Sequence, residues 1–222
     1  MSGSSAFFGA KSLRCLPVLL FAGCASTLQP TTYISNLGLN NRPSVEDFDF
    51  CDSACCKTIS NLGFSDSEWS LIEKLFTPTA KNPAEERKRI NLAVGLIETL
   101  VGGKNDTLGD APKNMRRLGT GKQLDCIAEA ANTTVALLLL QREGLLKHHR
   151  IGFPQHRGFV QLRLPHNSAS VYELESGDHY VIDSWFFAGG EPAVSLPLAK
   201  WRSGYDPHKD PSYQRPTLLE NP

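Results

Sequence analysis

The chain has 222 residues and a formal net charge of zero, with 23 basic and 23 acidic side chains. A hydrophobic fraction of 41% is enough for one globular domain with a real core, flanked by tails. No basic stripe or block of like charges interrupts the sequence, so the composition argues against a nucleic-acid-binding protein.

The N-terminus has the pattern of an export signal. Two basic residues precede the apolar run CLPVLLFAG, which is too short to span a bilayer as a helix. The ending LFAGCAS resembles the lipobox of bacterial lipoproteins, with Ala22 and Gly23 before Cys24, although Phe21 replaces the usual aliphatic residue. The resemblance implies that residues 1–23 are removed and that Cys24 is lipidated. An ordinary signal peptide with a chance cysteine is the alternative.

Composition shifts predict the domain limits. Residues 24–45 are polar and contain Pro, Asn and Gly, which is typical of a flexible tether behind a lipidated cysteine. Residues 46–202 carry the periodic apolar patterns and form the predicted domain. Residues 203–222 are polar and proline-rich, and we expect an extended or disordered tail there.

The segment CDSACC places Cys51, Cys55 and Cys56 close together. An exported protein can form disulfides, and a local bridge using Cys51 is one option, but the pairing stays open. A zinc site needs about four ligands, and no second pair of cysteines lies near. We therefore predict no metal site.

Three helices are predicted before residue 145. Ser65 and Glu68 form a capping box for a helix over residues 66–76. Asn82 caps a second helix, and Pro83 suits its first position, with Gly102-Gly103 ending it. The third runs from an Asp125 cap to about Glu143, before Gly144, and is apolar nearly all round, which indicates burial against a sheet.

Strands follow the helices. The segments GFVQLRL, SASVYEL and HYVIDSWFF alternate and are rich in β-branched and aromatic residues, and ESGD between the last two predicts a hairpin turn. The segment LLKHHRIGFPQHR before them is basic and polar, so we predict a connector with solvated histidines. Helices followed by strands indicate an α+β domain in which helices pack on a small antiparallel sheet.

Cys126 occupies a position in the sequence that suits a nucleophile. It begins the third helix, where unpaired backbone N–H groups and a partial positive charge stabilise a thiolate, so we expect a lowered thiol pKa. The same N–H groups can bind a developing oxyanion. A core thiol that needs no such position is the alternative.

A thiol nucleophile also requires a histidine base and a group that orients it. Of the six histidines, His166 opens the predicted strand HNSASVYEL, and Asp183 interrupts the apolar strand across the hairpin. Taken alone, Asp183 could cap a turn or pair with Arg163 or Arg202, and His166 could be an ordinary strand-edge residue. Their order after Cys126 favours a catalytic set.

The segments DCIAEAANTTVALLLLQREGL, HNSASVYEL and HYVIDSW together resemble the papain-related transglutaminase-like superfamily, particularly its bacterial cysteine peptidases. The spacing is 40 residues from Cys126 to His166 and 17 more to Asp183. The resemblance covers roughly residues 66–201 and implies a papain/transglutaminase-like core. It also implies that Cys126 is the nucleophile, His166 the general base and acid, and Asp183 the residue that orients His166.

Hairpin geometry places a constraint on this set. A symmetric ESGD turn would pair Asp183 with Ser170, which leaves His166 four residues away, or about 13 Å along a straight strand. A tighter turn, a bulge or strong twist must close that distance.

For the oxyanion, Gln123 lies upstream of the thiol and is the candidate side-chain donor, with a solvated loop residue as the alternative.

Together these features predict a thiol acyl-transfer enzyme, exported and lipid-anchored at the bacterial cell envelope, on the periplasmic face of the outer membrane. It would hydrolyse peptide or isopeptide bonds of a protein or peptide substrate, and we predict no cofactor. The alternative is a catalytically silent lipoprotein that uses the same scaffold as an envelope binding module.

Overall fold

The computed structural model describes residues 28–114, 122–158 and 165–217. The predicted signal and Cys24 lie outside the described residues, as does most of the predicted strand GFVQLRL. The described helices are α1 (Pro30–Asn36), α2 (Asp66–Leu75), α3 (Pro83–Asn105), α4 (Cys126–Arg142) and α5 (Leu198–Arg202). The strands are β1 (Phe48–Cys51), β2 (Ile59–Leu62), β3 (His149–Arg157), β4 (His166–Glu173), β5 (His179–Asp183) and β6 (Val194–Pro197).

The strands form two antiparallel sheets, so the predicted α+β class is confirmed. Strands β1 and β2 pair as a hairpin, and the larger sheet has the order β3-β4-β5-β6. Helix α4 packs against β3, β4 and β5 on one side and against β1, α1 and α3 on others. A helix contacted from several directions must be apolar nearly all round, which explains its sequence.

Local capping signals place the helix starts correctly. The side chain of Ser65 accepts from the Glu68 N–H in a complete capping box, and Asn82 caps α3. Helix α3 continues past the predicted stop at Gly102, to Asn105. A β-carbon at Gly102 would lie 2.8 Å from the backbone nitrogen of Leu108, so this glycine allows close packing rather than ending the helix.

The predicted tether is wrong over the part of it that the structure describes. Helix α1 lies within it, and Ile34, Leu39 and Val45 are buried in the main core. Their apolar side chains are too far apart in the sequence to form a periodic pattern, yet each is removed from water by the fold. The domain therefore begins before residue 46.

The predicted extended tail also packs on the domain, at least to residue 217. Asp206 forms an ion pair with Lys113, and the ring of Tyr213 stacks on Phe187 with centroids 6.0 Å apart. His208 Nε2 contacts the carbonyl oxygen of Phe186 at 2.7 Å. These contacts explain why a polar, proline-rich segment is held against the surface.

The predicted polar connector before β4 is instead strand β3. His149 is buried, and its Nδ1 lies 2.8 Å from Glu86 Oε1 on α3. Arg87 contacts the other ring nitrogen at 3.0 Å and also pairs with Glu173. A buried ionisable side chain needs such partners, which only the packing of α3 on the sheet supplies.

Candidate active site

Cys126 begins α4 next to its N-cap. The Asp125 side chain accepts from the Ala128 N–H at 3.0 Å, so the helix starts as the sequence predicts. The thiol is nearly covered, with 9% of the Cys126 surface exposed. The Cys126 thiol therefore lies just below the protein surface, at the N-terminal end of the buried helix α4.

His166 and Asp183 form a buried pair. His166 Nε2 lies 2.7 Å from Asp183 Oδ2, and both residues are buried. A carboxylate can only accept, so Nε2 carries a proton and donates it. The other ring nitrogen, Nδ1, has no hydrogen-bond partner within the described parts of the chain.

The hairpin register explains how the pair forms. Ala169 pairs with Ile182, and the turn spans residues 174–177, where Gly177 has φ +75°. The predicted pairing of Asp183 with Ser170 is therefore wrong by two residues, because the turn begins one residue earlier than ESGD. The shift brings Asp183 nearer to the start of β4, and its side chain spans the remaining distance to the imidazole.

Aromatic side chains enclose the imidazole. Trp185 and Trp201 lie with ring centroids 4.5 Å and 5.4 Å from that of His166, and Phe186 is 5.7 Å away. Trp201 Nε1 donates to the same oxygen of Asp183 at 2.7 Å. The carboxylate therefore receives two N–H donors in an apolar pocket, which fixes its orientation and that of the ring.

The thiol lies against the start of β4. Asn167, the residue after His166, has its Nδ2 atom 3.9 Å from Cys126 Sγ, and its backbone N–H also donates toward the sulfur. The fold thus brings the predicted nucleophile against the residue that follows the predicted base, while no hydrogen bond joins the thiol to His166 Nδ1 within the described residues.

The electrostatics of the thiol differ from the prediction. Burial raises the pKa of the Cys126 thiol to about 11, and the negative charges of Asp125 and Asp183 act in the same direction. Hydrogen bonds from Asn167 oppose this shift without cancelling it. The expected lowering of the pKa by the helix N-terminus is wrong, because burial and two nearby carboxylates outweigh it.

Gln123 is not placed as the predicted oxyanion donor. Its Oε1 accepts from the Ala111 N–H at 3.2 Å and from Asn114 Nδ2 at 2.9 Å, and its Nε2 donates to the Gly109 carbonyl oxygen at 2.9 Å. Both ends of the amide therefore hold the loop that precedes α4. Sequence proximity to the thiol suggested a role that the side-chain direction contradicts.

The cysteine cluster resolves into one disulfide and one thiol. Cys51 and Cys56 are bonded, and the Cys55 thiol donates to Asp125 Oδ2 at 3.1 Å. The backbone N–H of Cys55 donates to the other Asp125 oxygen at 3.0 Å. Asn132 on α4 bonds both backbone groups of Cys51, so the cluster is fixed to the helix that carries Cys126.

Three carboxyl groups, those of Glu98, Asp110 and Glu129, interact with one another near Ser184. Burial raises the pKa of Glu98 to about 7, and it also raises the pKa values of Asp110 and Glu129. Ser184 donates to Glu129 Oε2 at 2.5 Å, and Glu129 shares a hydrogen bond with Asp110. Burial disfavours the ionised form of each residue in this acidic cluster, which consists of Glu98, Asp110 and Glu129.

Sequence reasoning missed Trp201 and Asn167. Trp201 lies on α5, at the predicted end of the domain, and its indole reaches Asp183 only because the folded chain packs α5 beside β5. Asn167 carried one available signal, since it directly follows the predicted base. No pattern of residue types distinguished it from a surface polar residue.

Among the described residues, no group of three or more His, Cys, Asp or Glu side chains could hold a metal ion. No described helix combines the length and apolar character needed to cross a bilayer. No protein-family model, curated protein or solved structure matches the chain. The functional interpretation consequently depends on the site itself.

Proposed function

We propose that this protein is a thiol acyl-transfer enzyme of the bacterial cell envelope, which hydrolyses peptide or isopeptide bonds through Cys126, His166 and Asp183. The observation that carries the proposal is the pairing of His166 Nε2 with Asp183 at 2.7 Å, which leaves Nδ1 without a partner among the described residues while the thiol lies against the adjacent residue. A purely structural His–Asp pair does not require a neighbouring thiol at a helix N-terminus.

The reaction follows from these groups. His166 Nδ1 takes the thiol proton as the sulfur of Cys126 attacks the carbonyl carbon of the substrate. The electron pair of the C=O double bond moves to the oxygen, and its return expels the amine, which receives the proton from Nδ1. Water then attacks the thioester in the same way, and releases the acid and the thiol.

The raised pKa of the Cys126 thiol determines when the proton is transferred in this mechanism. With a pKa of about 11, Cys126 rests as a neutral thiol near neutral pH, so a stable thiolate–imidazolium pair is not its resting form. Proton transfer to His166 then accompanies attack on the carbonyl rather than preceding it. Asp183 stabilises the imidazolium that forms during this step.

The placement of these groups supports relation to the papain-related transglutaminase-like superfamily. The nucleophile begins a buried helix, and the base and its orienting acid lie on adjacent antiparallel strands packed against that helix. Export and a lipid anchor at Cys24, facing the periplasm from the outer membrane, complete the proposal. A protein or peptide of the envelope is the proposed substrate.

Two observations favour a second candidate, the catalytically silent envelope binding module. Only 9% of the Cys126 surface is exposed, and the thiol pKa is raised rather than lowered. A module that had lost catalysis would keep the His166–Asp183 pair for stability alone. The two candidates differ in whether the thiol accepts an acyl group with help from His166.

The test measures acylation of individual thiols by p-nitrophenyl acetate, an acyl donor that needs no specificity pocket. Tryptic digestion releases residues 123–142, a peptide whose only cysteine is Cys126, and mass spectrometry quantifies its acetylation separately from that of Cys55. We expect Cys126 to be acetylated faster than the exposed Cys55. His166→Ala should lower the rate at Cys126 by about 10²–10⁴-fold, the usual contribution of a general base.

Two controls sharpen the result. His148→Ala removes a histidine outside the site, whose ring contacts the Ala80 carbonyl oxygen, and should leave both acetylation rates unchanged. Cys55 serves as a reference thiol in the same molecule, and its rate should not depend on His166. Equal rates at the two thiols, or a Cys126 rate indifferent to His166→Ala, would select the silent binding module.

A further inference from the structure

Asn167 borders the reacting sulfur without being strongly bound to it. Its Nδ2 atom lies 3.9 Å from Cys126 Sγ, which is a weak contact, and Asn167 is half-buried at the start of β4. The oxygen of an acyl group bonded to the sulfur can lie between the acyl carbon and Nδ2, because Nδ2 is this close to the sulfur. An oxyanion donor must lie about 2.7–3.1 Å from that oxygen rather than from the sulfur.

A neighbouring histidine sets the direction of this amide. His156 on β3 lies opposite Asn167 in the sheet, and its Nδ1 atom is 3.2 Å from Asn167 Oδ1. An N–H at His156 Nδ1 donates to the amide oxygen, which turns the NH₂ group toward Cys126. The amide is therefore held with its donor end toward the site where negative charge develops.

The other candidate donor is already occupied. Gln123, the side chain that the sequence suggested, has both ends of its amide bonded within the loop before α4. The backbone N–H of Cys126 begins α4, so it has no partner one turn earlier in that helix and is a second donor of the usual kind. Asn167 is the side-chain amide that lies against the sulfur, so it can supply the other donor of an oxyanion site.

We propose that Asn167 is a catalytic residue whose side-chain NH₂ group stabilises the oxyanion of the acyl-transfer step, and that His156 is the positioning residue that orients it. This inference rests on the proposed function of Cys126. In the step concerned, the sulfur–carbon bond forms, the C=O electron pair moves to oxygen, and the thiol proton passes to His166. Asn167 donates a hydrogen bond to that oxygen and exchanges no proton.

The experiment compares two reactions of the same thiol. Acetylation by p-nitrophenyl acetate passes through a tetrahedral oxyanion, whereas alkylation by iodoacetamide displaces iodide at carbon and forms none. Both rates are measured on the tryptic peptide 123–142 for the wild-type protein, Asn167→Ala, Asn167→Asp and His156→Ala. Asn61→Ala, on the exposed face of β2, is the matched asparagine control.

Asn167→Ala should lower the acetylation rate by about 10²–10³-fold, the usual loss of one oxyanion donor. Because the amide hydrogen bond to the sulfur also lowers the thiol pKa, the alkylation rate should fall as well, but by a clearly smaller factor. Asn167→Asp should lose at least as much, because a carboxylate cannot donate and repels the oxyanion. His156→Ala should give a smaller loss in acetylation alone, and Asn61→Ala no loss. The alkylation rate also reports an intact site, since unfolding would expose and accelerate the thiol.

Two results would overturn the inference, and they are distinguishable. If the wild type acetylates Cys126 with His166 dependence but Asn167→Ala keeps that rate, or loses acetylation and alkylation equally, Asn167 does not serve the oxyanion while the proposed function stands. If the wild-type protein shows no His166-dependent acetylation at Cys126, the proposed function fails, and this inference fails with it.

Discussion

The acidic cluster of Glu98, Asp110 and Glu129 leads to a specific prediction about how the stability of the protein depends on pH. Glu98 Oε2 accepts from the Gly190 N–H at 3.1 Å, while Oε1 is buried with no hydrogen-bond partner within the described parts of the chain. Burial, with a contribution from the charge of Asp110, raises the pKa of Glu98 from 4.5 to about 7. The perturbation is Glu98→Gln, which keeps the shape and the accepting oxygen but cannot ionise.

The size of the expected stability change follows from the pKa shift of Glu98. The folded protein retains a proton on Glu98 that the unfolded chain releases near pH 4.5, so the free energy of unfolding falls as pH rises from about 4.5 to about 7. At about 1.4 kcal/mol per pKa unit, the full loss is about 3 kcal/mol. Glu98→Gln removes this loss, so the variant should gain about 3 kcal/mol relative to the wild type between pH 4.5 and pH 8.

Urea unfolding followed by tryptophan fluorescence at pH 4.5, 5.5, 7 and 8 measures this difference. The other two acids keep some pH dependence in both proteins, so the informative quantity is the difference between variant and wild type at each pH. Glu175→Gln, on the exposed hairpin turn, is the matched control and should give a constant difference. A difference for Glu98→Gln that is equally constant with pH would refute the burial argument.

Two further predictions concern side chains that connect the elements of the site. Asn132→Ala should lower the free energy of unfolding by about 2–5 kcal/mol in urea titrations, because it leaves two buried backbone groups of Cys51 without partners, and an unchanged midpoint would contradict this. Trp201→Phe removes the N–H donor to Asp183 and should cost about 1.5–3 kcal/mol of stability. It should also slow His166-dependent acetylation of Cys126, whereas normal acetylation would show that the indole does not help to position the imidazole.

Features that depend on a few neighbouring residues were predicted well. The starts of α2, α3 and α4 follow from Ser65, Asn82 and Asp125, because a cap bonds to backbone groups only two or three residues away. The predicted end of α3 was wrong, because Gly102 allows close packing against Leu108, which lies outside the helix, and does not stop the helix. Local chemistry therefore determined the beginnings of helices better than their ends.

Features that depend on distant residues were predicted partly or not at all. The order of the residues along the chain predicted that His166 and Asp183 form a pair. The strand register that joins them, however, depends on where the hairpin turn begins. Burial of Ile34, and of the rest of the supposed tether, required knowledge of the surface on which that segment packs. The same holds for the packed segment after residue 203.

By itself, the sequence determined the α+β class, the helix that begins at Cys126 and the identities of the histidine and aspartate that pair on the sheet. Only the tertiary structure decided that the thiol is buried and its pKa raised, that Gln123 faces away, and that Asn167 borders the sulfur. The physical reason is range: helix caps act through bonds to adjacent backbone, whereas desolvation, charge interactions and side-chain direction depend on residues brought together from the whole chain.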